Sequence, residues 1–151
     1  MRLVYEQPKV IPTGEIEHTE AARAIIVLGH MILVCRGSGE NFTHMPGGHI
    51  DRNETPEAAL LREIAEELGR PVSSYIYATE TDHKFVREYD GTLEVQHSYL
   101  YKVQLLPVIN ENRNLSREQS ITTEWYAIHE LWRANLQPSF YCDLLMKLAA
   151  R

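Results

Sequence analysis

GGHIDRNETPEAALLREIAEELG, Gly47 to Gly69, is the stretch on which the fold turns. Thr55 can N-cap a helix and Pro56 suits its first position. Gly69 and Pro71 stop it. At the helical period, Leu61, Ile64, Ala65 and Leu68 fall on one arc about 100° wide. Glu63, Glu66 and Glu67 fall on a second arc of about 100°, on the opposite side. That second arc sits near the helix C-terminus, where the dipole disfavours anions, and its members repel one another at i,i+3 and i,i+4. A solvated polar face is the plain explanation. The wrong helix end, the stacking of the carboxylates and the preceding glycine pair weigh against it. A hard divalent cation such as Mg2+ takes oxygen ligands and shares them with phosphates and water, which makes such a cluster favourable. Gly47 and Gly48 let the backbone come close to a metal or a phosphate. On this reading the metal-free protein carries the repulsion as strain, and Glu67→Gln is expected to melt higher than wild type in EDTA.

Working outward, AIIVL (Ala24 to Leu28) and MILVC (Met31 to Cys35) flank Gly29-His30 and read as a hairpin. Residues 1–19 read as an N-terminal arm that could add an edge strand or reach a partner subunit in a homodimer. Residues 20–151 then form one domain. After the helix, VSSYIYATETDHKFV reads as a strand and Asp90-Gly91 as a turn. In LEVQHSYLYKVQLL, Leu93, Val95, His97, Tyr99, Tyr101, Val103 and Leu105 share an apolar face, and Glu94, Gln96, Ser98 and Lys102 the polar one. A polar loop spans Asn110 to Gln119, TTEWYAI is a short strand, HELWRAN a helical turn, and Ser139 to Ala150 a terminal helix.

The chain has 151 residues, 44% hydrophobic and 24% charged, with net charge −6 and pI about 5.6. An acidic chain is a poor partner for a nucleic-acid polymer or an anionic membrane. A phosphate substrate would need a local basic patch or a bound cation to offset that field. Cys35 and Cys142 have no metal or disulfide spacing and read as buried thiols in a reducing compartment. No apolar run suggests a signal peptide or a membrane span, so the cytoplasm is expected.

The spacing Gly48-x5-Glu54-x7-Arg62-Glu63-Ile64-x-Glu66-Glu67-x-Gly69 resembles the box of the Nudix (MutT-like) hydrolases, and Pro46-Gly47 before it looks like the family too. The resemblance extends over roughly residues 20–149. It implies an α/β/α sandwich with a mixed central sheet. It implies hydrolysis of a pyrophosphate bond in a nucleoside diphosphate linked to another group, a nucleotide sugar such as ADP-ribose or a nucleoside triphosphate. Mg2+ is the implied cofactor, with Mn2+ as a substitute. By the resemblance, Glu63, Glu66, Glu67 and the Gly47 carbonyl bind metal. Arg62 orients Glu63, and Gly48 and Glu54 support the loop–helix junction. One more glutamate from outside the box acts as base or ligand; Glu118 and Glu94 compete, with Glu118 slightly preferred. Two positions depart from the pattern. Arg70 stands where a bulky aliphatic packs, and Asn53 where many members have glycine. Asparagine best tolerates the left-handed backbone expected there.

Arg23 and Arg36 bracket the hairpin and are candidates for substrate phosphates, though edge charges explain them equally well. His97 reads as a satisfied core histidine, and Trp125 and Trp132 as core. His44, His49 and His83 could approach the site, and Phe85 and Tyr89 could stack a base. The leaving group is chosen by loops such as 36–45, 83–92 and 107–120, which the sequence does not fold. The competing readings are a catalytically inactive nucleotide-binding or regulatory module, or an isomerase on the same scaffold. Metal-dependent release of phosphate or nucleotide separates hydrolase from both.

Overall fold

The computed structural model describes residues 12–107 and 120–149. Its strands are β1 (Ile16–Ile25), β2 (Val27–Leu28), β3 (Met31–Gly37), β4 (Gly47–His49), β5 (Val72–Val86), β6 (Leu93–Leu105) and β7 (Ile121–Ala127). Helix α1 (Pro56–Leu68) follows β4, a 3-10 segment (Ile128–Ala134) follows β7, and α2 (Phe140–Ala149) ends the described chain. One sheet has the order β4-β1-β6-β5 and the other β2-β3-β7. β1 runs parallel to β6, from Ile16 opposite Leu93 to Ile25 opposite Lys102. β4 and β5 close the two edges antiparallel. No described helix is long and apolar enough to cross a membrane.

The two faces of the sheet are covered separately. Ala22, Ala24, Ile26, Tyr101 and Val103 pack with Ala59, Leu60, Ile64 and Leu68 of α1. Ile25, Ile32, Val34 and Leu100 pack with Leu131, Tyr141 and Leu145 from the C-terminal elements. Alanines at 22 and 24 leave the room that a helix needs to approach a strand. The result is the expected α/β/α sandwich with a mixed sheet.

Several expectations are revised. β1 begins at Ile16, inside the stretch read as an arm; of that arm, residues 1–11 lie outside the described residues. The run Ala24 to Leu28 is divided between two sheets at Ile26, and only Val27 and Leu28 pair with Met31 and Ile32 as a hairpin. On α1, Leu61 is 40% exposed whereas Glu67 is 2% exposed. The carboxylate arc therefore adjoins the buried face instead of opposing it. The cause is β4: a Gly-Gly strand has no side chains to fill the space beneath Glu67 and Glu63. On β6 the polar row Glu94, Gln96 and Ser98 is the buried one. His97 is not in the core but bridges Asp82 and Glu80 through its two ring nitrogens, each at 2.6 Å. Trp125 and Trp132 are 38% and 67% exposed. Cys142 is only half-buried, and neither cysteine is in a disulfide.

Candidate active site

Local chemistry fixes the site before any ligand enters. The Thr55 hydroxyl accepts the Ala58 amide at 3.1 Å, and Gly69 ends α1 in the left-handed conformation with φ 63. In the turn before the helix, Asn53 has φ 68, as its place in the sequence leads one to expect. Asn53→Gly should keep full activity and stability, while Asn53→Val should lower the melting temperature, because β-branched residues resist positive φ. Equal melts for the valine variant and wild type would contradict this strain argument.

Arg62 ties the turn to the helix. Its Nε and Nη2 donate to the two Glu54 oxygens at 2.7 and 2.9 Å. Nη1 donates to Glu63 at 2.9 Å and to Glu66 at 3.4 Å, and Nη2 also reaches the His49 carbonyl at 3.1 Å. Glu54 accepts the Asp51 amide as well, and these bonds, the Arg62 one foremost, push its carboxyl down to about 2. Burial pushes the Glu63 carboxyl up, and the Arg62 guanidinium pulls against it. Glu67 is turned inward and accepts the Gly47 amide at 2.6 Å.

The glycine pair makes this possible. Gly47 has φ 126, and a Cβ there would collide with the Ala22 carbonyl of β1. A Cβ on Gly48 would stand 2.6 to 2.8 Å from the Glu63 carboxyl atoms. Gly48→Ala should therefore displace Glu63 and lower kcat, with a smaller effect on the melting temperature because the end of a side chain can move. An alanine variant as active as wild type would show that Glu63 needs no such space.

Among the described residues, no three His, Cys, Asp or Glu side chains converge closely enough to hold a metal ion as they stand. Arg62 draws Glu63 and Glu66 to itself, and the Gly47 amide engages Glu67. The donor types nevertheless fit a hard cation. Glu63, Glu66, Glu67 and the Gly47 carbonyl offer only oxygen, along one seam between α1 and β4, with the missing Cβ of Gly48 leaving space before Glu63.

Strand register places a polar floor beside this seam. Gly47 pairs with Arg23, and Arg23 with Leu100; His49 pairs with Ala21, Ala21 with Ser98, and Ser98 with Thr81. Thr19, Gln96 and His83 form the next row. Glu94 Oε2 accepts from Thr19 at 2.8 Å and Gln96 at 3.0 Å, and lies 3.3 Å from His49 Nε2. His83 is buried, stacked on Phe85 and held down to about 4 by burial, so its ring is neutral at neutral pH. Sequence reading found Glu94, His49 and His83 one by one but missed the array. The clue was polar residues at every second position of a strand flanked by apolar ones.

The remaining candidates separate. Arg23 donates to the Gly47 carbonyl at 2.9 Å and the Met45 carbonyl at 3.3 Å, at the seam itself. Arg36 is committed elsewhere, to Glu124 at 2.5 and 3.1 Å. His44 lies against its neighbour's carbonyl and is held low by burial. Tyr89 is 81% exposed beneath the Arg87 guanidinium, whereas Phe85 stacks on His83. Glu118 lies outside the described residues.

A helix of clustered carboxylates, clamped by one arginine against a glycine strand at the edge of a mixed sheet, defines a class of proteins. The family model of the NUDIX domain matches residues 12–144. The chain belongs to the Nudix family. It is similar to the 8-oxo-dGTP diphosphatases of Proteus vulgaris and Haemophilus influenzae, 46% identical to each over 44 residues. Those matches cover 29% and 27% of this chain but only 39% and 32% of the relatives. Among solved structures, a MutT protein from Methanosarcina mazei Go1 superposes with TM-score 0.65 at 16% identity, over 95% of this chain and 97% of that one. A MutT NUDIX hydrolase from Burkholderia pseudomallei gives 0.60 at 24% identity, over 87% and 98%. These two show the shared fold.

Proposed function

We propose that the protein is a Mg2+-dependent pyrophosphohydrolase that cleaves a nucleoside triphosphate or another nucleoside diphosphate derivative. The observation that carries this reading is the alignment of Glu63, Glu66 and Glu67 along the Gly47-Gly48 strand under the control of Arg62. The names of the curated relatives favour a nucleoside triphosphate, damaged or not, over a nucleotide sugar.

Glu63, Glu66, Glu67 and the Gly47 carbonyl would hold a divalent cation, and the chemistry it would supply there is polarisation of a phosphoryl oxygen and a lowered pKa for a bound water. The chain's residues do the rest. Arg62 holds Glu63 in orientation and Glu54 holds Arg62. Arg23 brings a guanidinium to the same edge, where it can meet a phosphate. Glu118 is assigned the base. Glu94 has its Oε2 engaged by Thr19, Gln96 and His49, which suits it to shaping the floor instead. Glu118→Gln should accordingly lower kcat by about 10²-fold or more. Glu94→Gln should lower the melting temperature while leaving kcat within a few-fold. If both variants kept full kcat, the base would have to come from within the box.

The decisive experiment is one panel of ADP-ribose, other nucleotide sugars, nucleoside triphosphates and 8-oxo-dGTP, assayed with Mg2+, with Mn2+ and with EDTA. Metal-dependent release of nucleotide or pyrophosphate from a triphosphate is the expected result. Binding without release from any compound would instead favour the inactive module.

A further inference from the structure

The Gly47 carbonyl, one of the oxygens assigned to the cation, already has a partner. Arg23 Nη1 donates to it at 2.9 Å, and to the Met45 carbonyl at 3.3 Å. Two observations argue that this contact is more than a strut. First, β1 and β4 are joined without it. The Ala24 amide donates to the Pro46 carbonyl at 2.8 Å, the Ile50 amide to the Glu20 carbonyl at 2.9 Å, and three residue pairs lie in register between them. Second, Arg36, Arg62 and Arg87 each sit on carboxylates. Among the described residues Arg23 has no carboxylate within ion-pair distance, only carbonyl oxygens. A half-buried guanidinium hydrogen-bonded only to neutral carbonyls, in a chain of net charge −6 and with the Glu63 carboxylate feeling its charge from beyond ion-pair distance, keeps its fork available for another anion.

We infer that Arg23 is an exchange residue: it caps the Gly47 carbonyl in the metal-free protein, gives that oxygen up when a divalent cation binds, and thereby frees its own fork for the anionic substrate. The inference rests on the metal assignment made under the proposed function. Its logic is electrostatic. A guanidinium and a divalent cation on the same oxygen repel, so occupancy by one disfavours the other. The released guanidinium stays tethered to β1 beside the seam, where a diphosphate would arrive. Cation and substrate then bind with positive coupling, each raising the affinity for the other by the same factor. Arg23 in this role is a positioning residue for the cation, acting through the Gly47 carbonyl.

The test is a Mg2+ titration of the full chain without nucleotide, followed by the guanidinium 15N–1H signals of Arg23 and the amide of Gly48, which shares a peptide group with the Gly47 carbonyl. Arg23 signals are assigned by their loss in Arg23→Lys. Both sets are expected to shift with one midpoint. In Arg23→Gln, calorimetric Mg2+ affinity should rise about fivefold or more, the lower end of ordinary coupling factors. If the Gly48 amide shifts while Arg23 stays fixed, Arg23 is a strut; the exchange is overturned and the metal site stands. Unchanged or weaker Mg2+ affinity in Arg23→Gln overturns it equally. If neither signal moves at saturating Mg2+, the metal assignment of Gly47 fails and takes the exchange with it. The titration of wild type decides even if the glutamine variant folds poorly.

Discussion

Glu63→Gln and Glu67→Gln should each lower kcat by about 10³-fold under saturating Mg2+. Metal polarisation of a phosphoryl oxygen supplies several kcal/mol to the transition state, and about 4 kcal/mol corresponds to that factor. A neutral amide oxygen is a weak ligand for a hard cation, so the loss is set by charge, not by shape. The two variants should differ in stability from their alanine counterparts. Glu67 is 2% exposed and accepts the Gly47 amide. Glutamine keeps an acceptor there; Glu67→Ala removes it and leaves a buried donor without it, at a cost of about 1–3 kcal/mol.

This changes an expectation drawn from the helix alone. If all three glutamates faced water with nothing between them, neutralising Glu67 would raise the melting temperature in EDTA. In the structure Arg62 already offsets the repulsion between Glu63 and Glu66, and Glu67 is anchored to β4. Glu67→Gln should therefore melt close to wild type in EDTA, and lose most of the increment that Mg2+ gives wild type by binding only the folded state. Paired thermal melts and steady-state assays check both statements. Full activity in either glutamine variant would remove the metal assignment.

The parts of the fold legible in the sequence are those set by local chemistry. Thr55, Pro56 and Gly69 bound α1 because caps act on the nearest turn of backbone. Asn53 was readable because positive φ selects a short list of residues. Strand β6 follows from its alternation, and its pairing with β5 from the Asp90-Gly91 turn between them. What failed depended on distant partners. Alternation along β6 is plain in the sequence, but which face is buried is decided by coverage on both sides of an interior strand. The polar face is covered and carries the array of Glu94, Gln96 and Ser98. Likewise the helical wheel could not show that β4 is made of glycine backbone beneath Glu67, so it set the carboxylates opposite the core. The box residues are legible as candidates because spacing encodes them. The partners of Arg23 and Arg36 were not, because only the register of β1 with β4 and of β3 with β7 brings Gly47 to the one and Glu124 to the other.

Arg62 is where site and stability meet, and its removal should show both. It contacts Glu54, Glu63, Glu66 and the His49 carbonyl at once, with a side chain 30% exposed. Charged hydrogen bonds contribute about 1.5–3 kcal/mol each, but these share one guanidinium that water partly reaches, so their sum is discounted. Arg62→Ala should cost about 2–4 kcal/mol in EDTA, at about 2–4 °C per kcal/mol for a domain of this size. Activity should fall by about 10²-fold, the upper range for loss of a group that orients metal ligands. Arg62→Lys should recover little of either, because an ammonium cannot hold both Glu54 oxygens in a fork while reaching Glu63. The Mg2+ response should move the opposite way. Without Arg62, only the more distant Arg23 guanidinium still acts on Glu63, the repulsion between Glu63 and Glu66 is less offset, and an added cation relieves more of it than in wild type. The melting-temperature increment from EDTA to excess Mg2+ should therefore be larger in Arg62→Ala than in wild type, even though the variant is less stable and less active. An unchanged melt in EDTA would show that the Arg62 contacts contribute little. An increment no larger than that of wild type would show that Arg62 does not stand in for the cation in the metal-free protein.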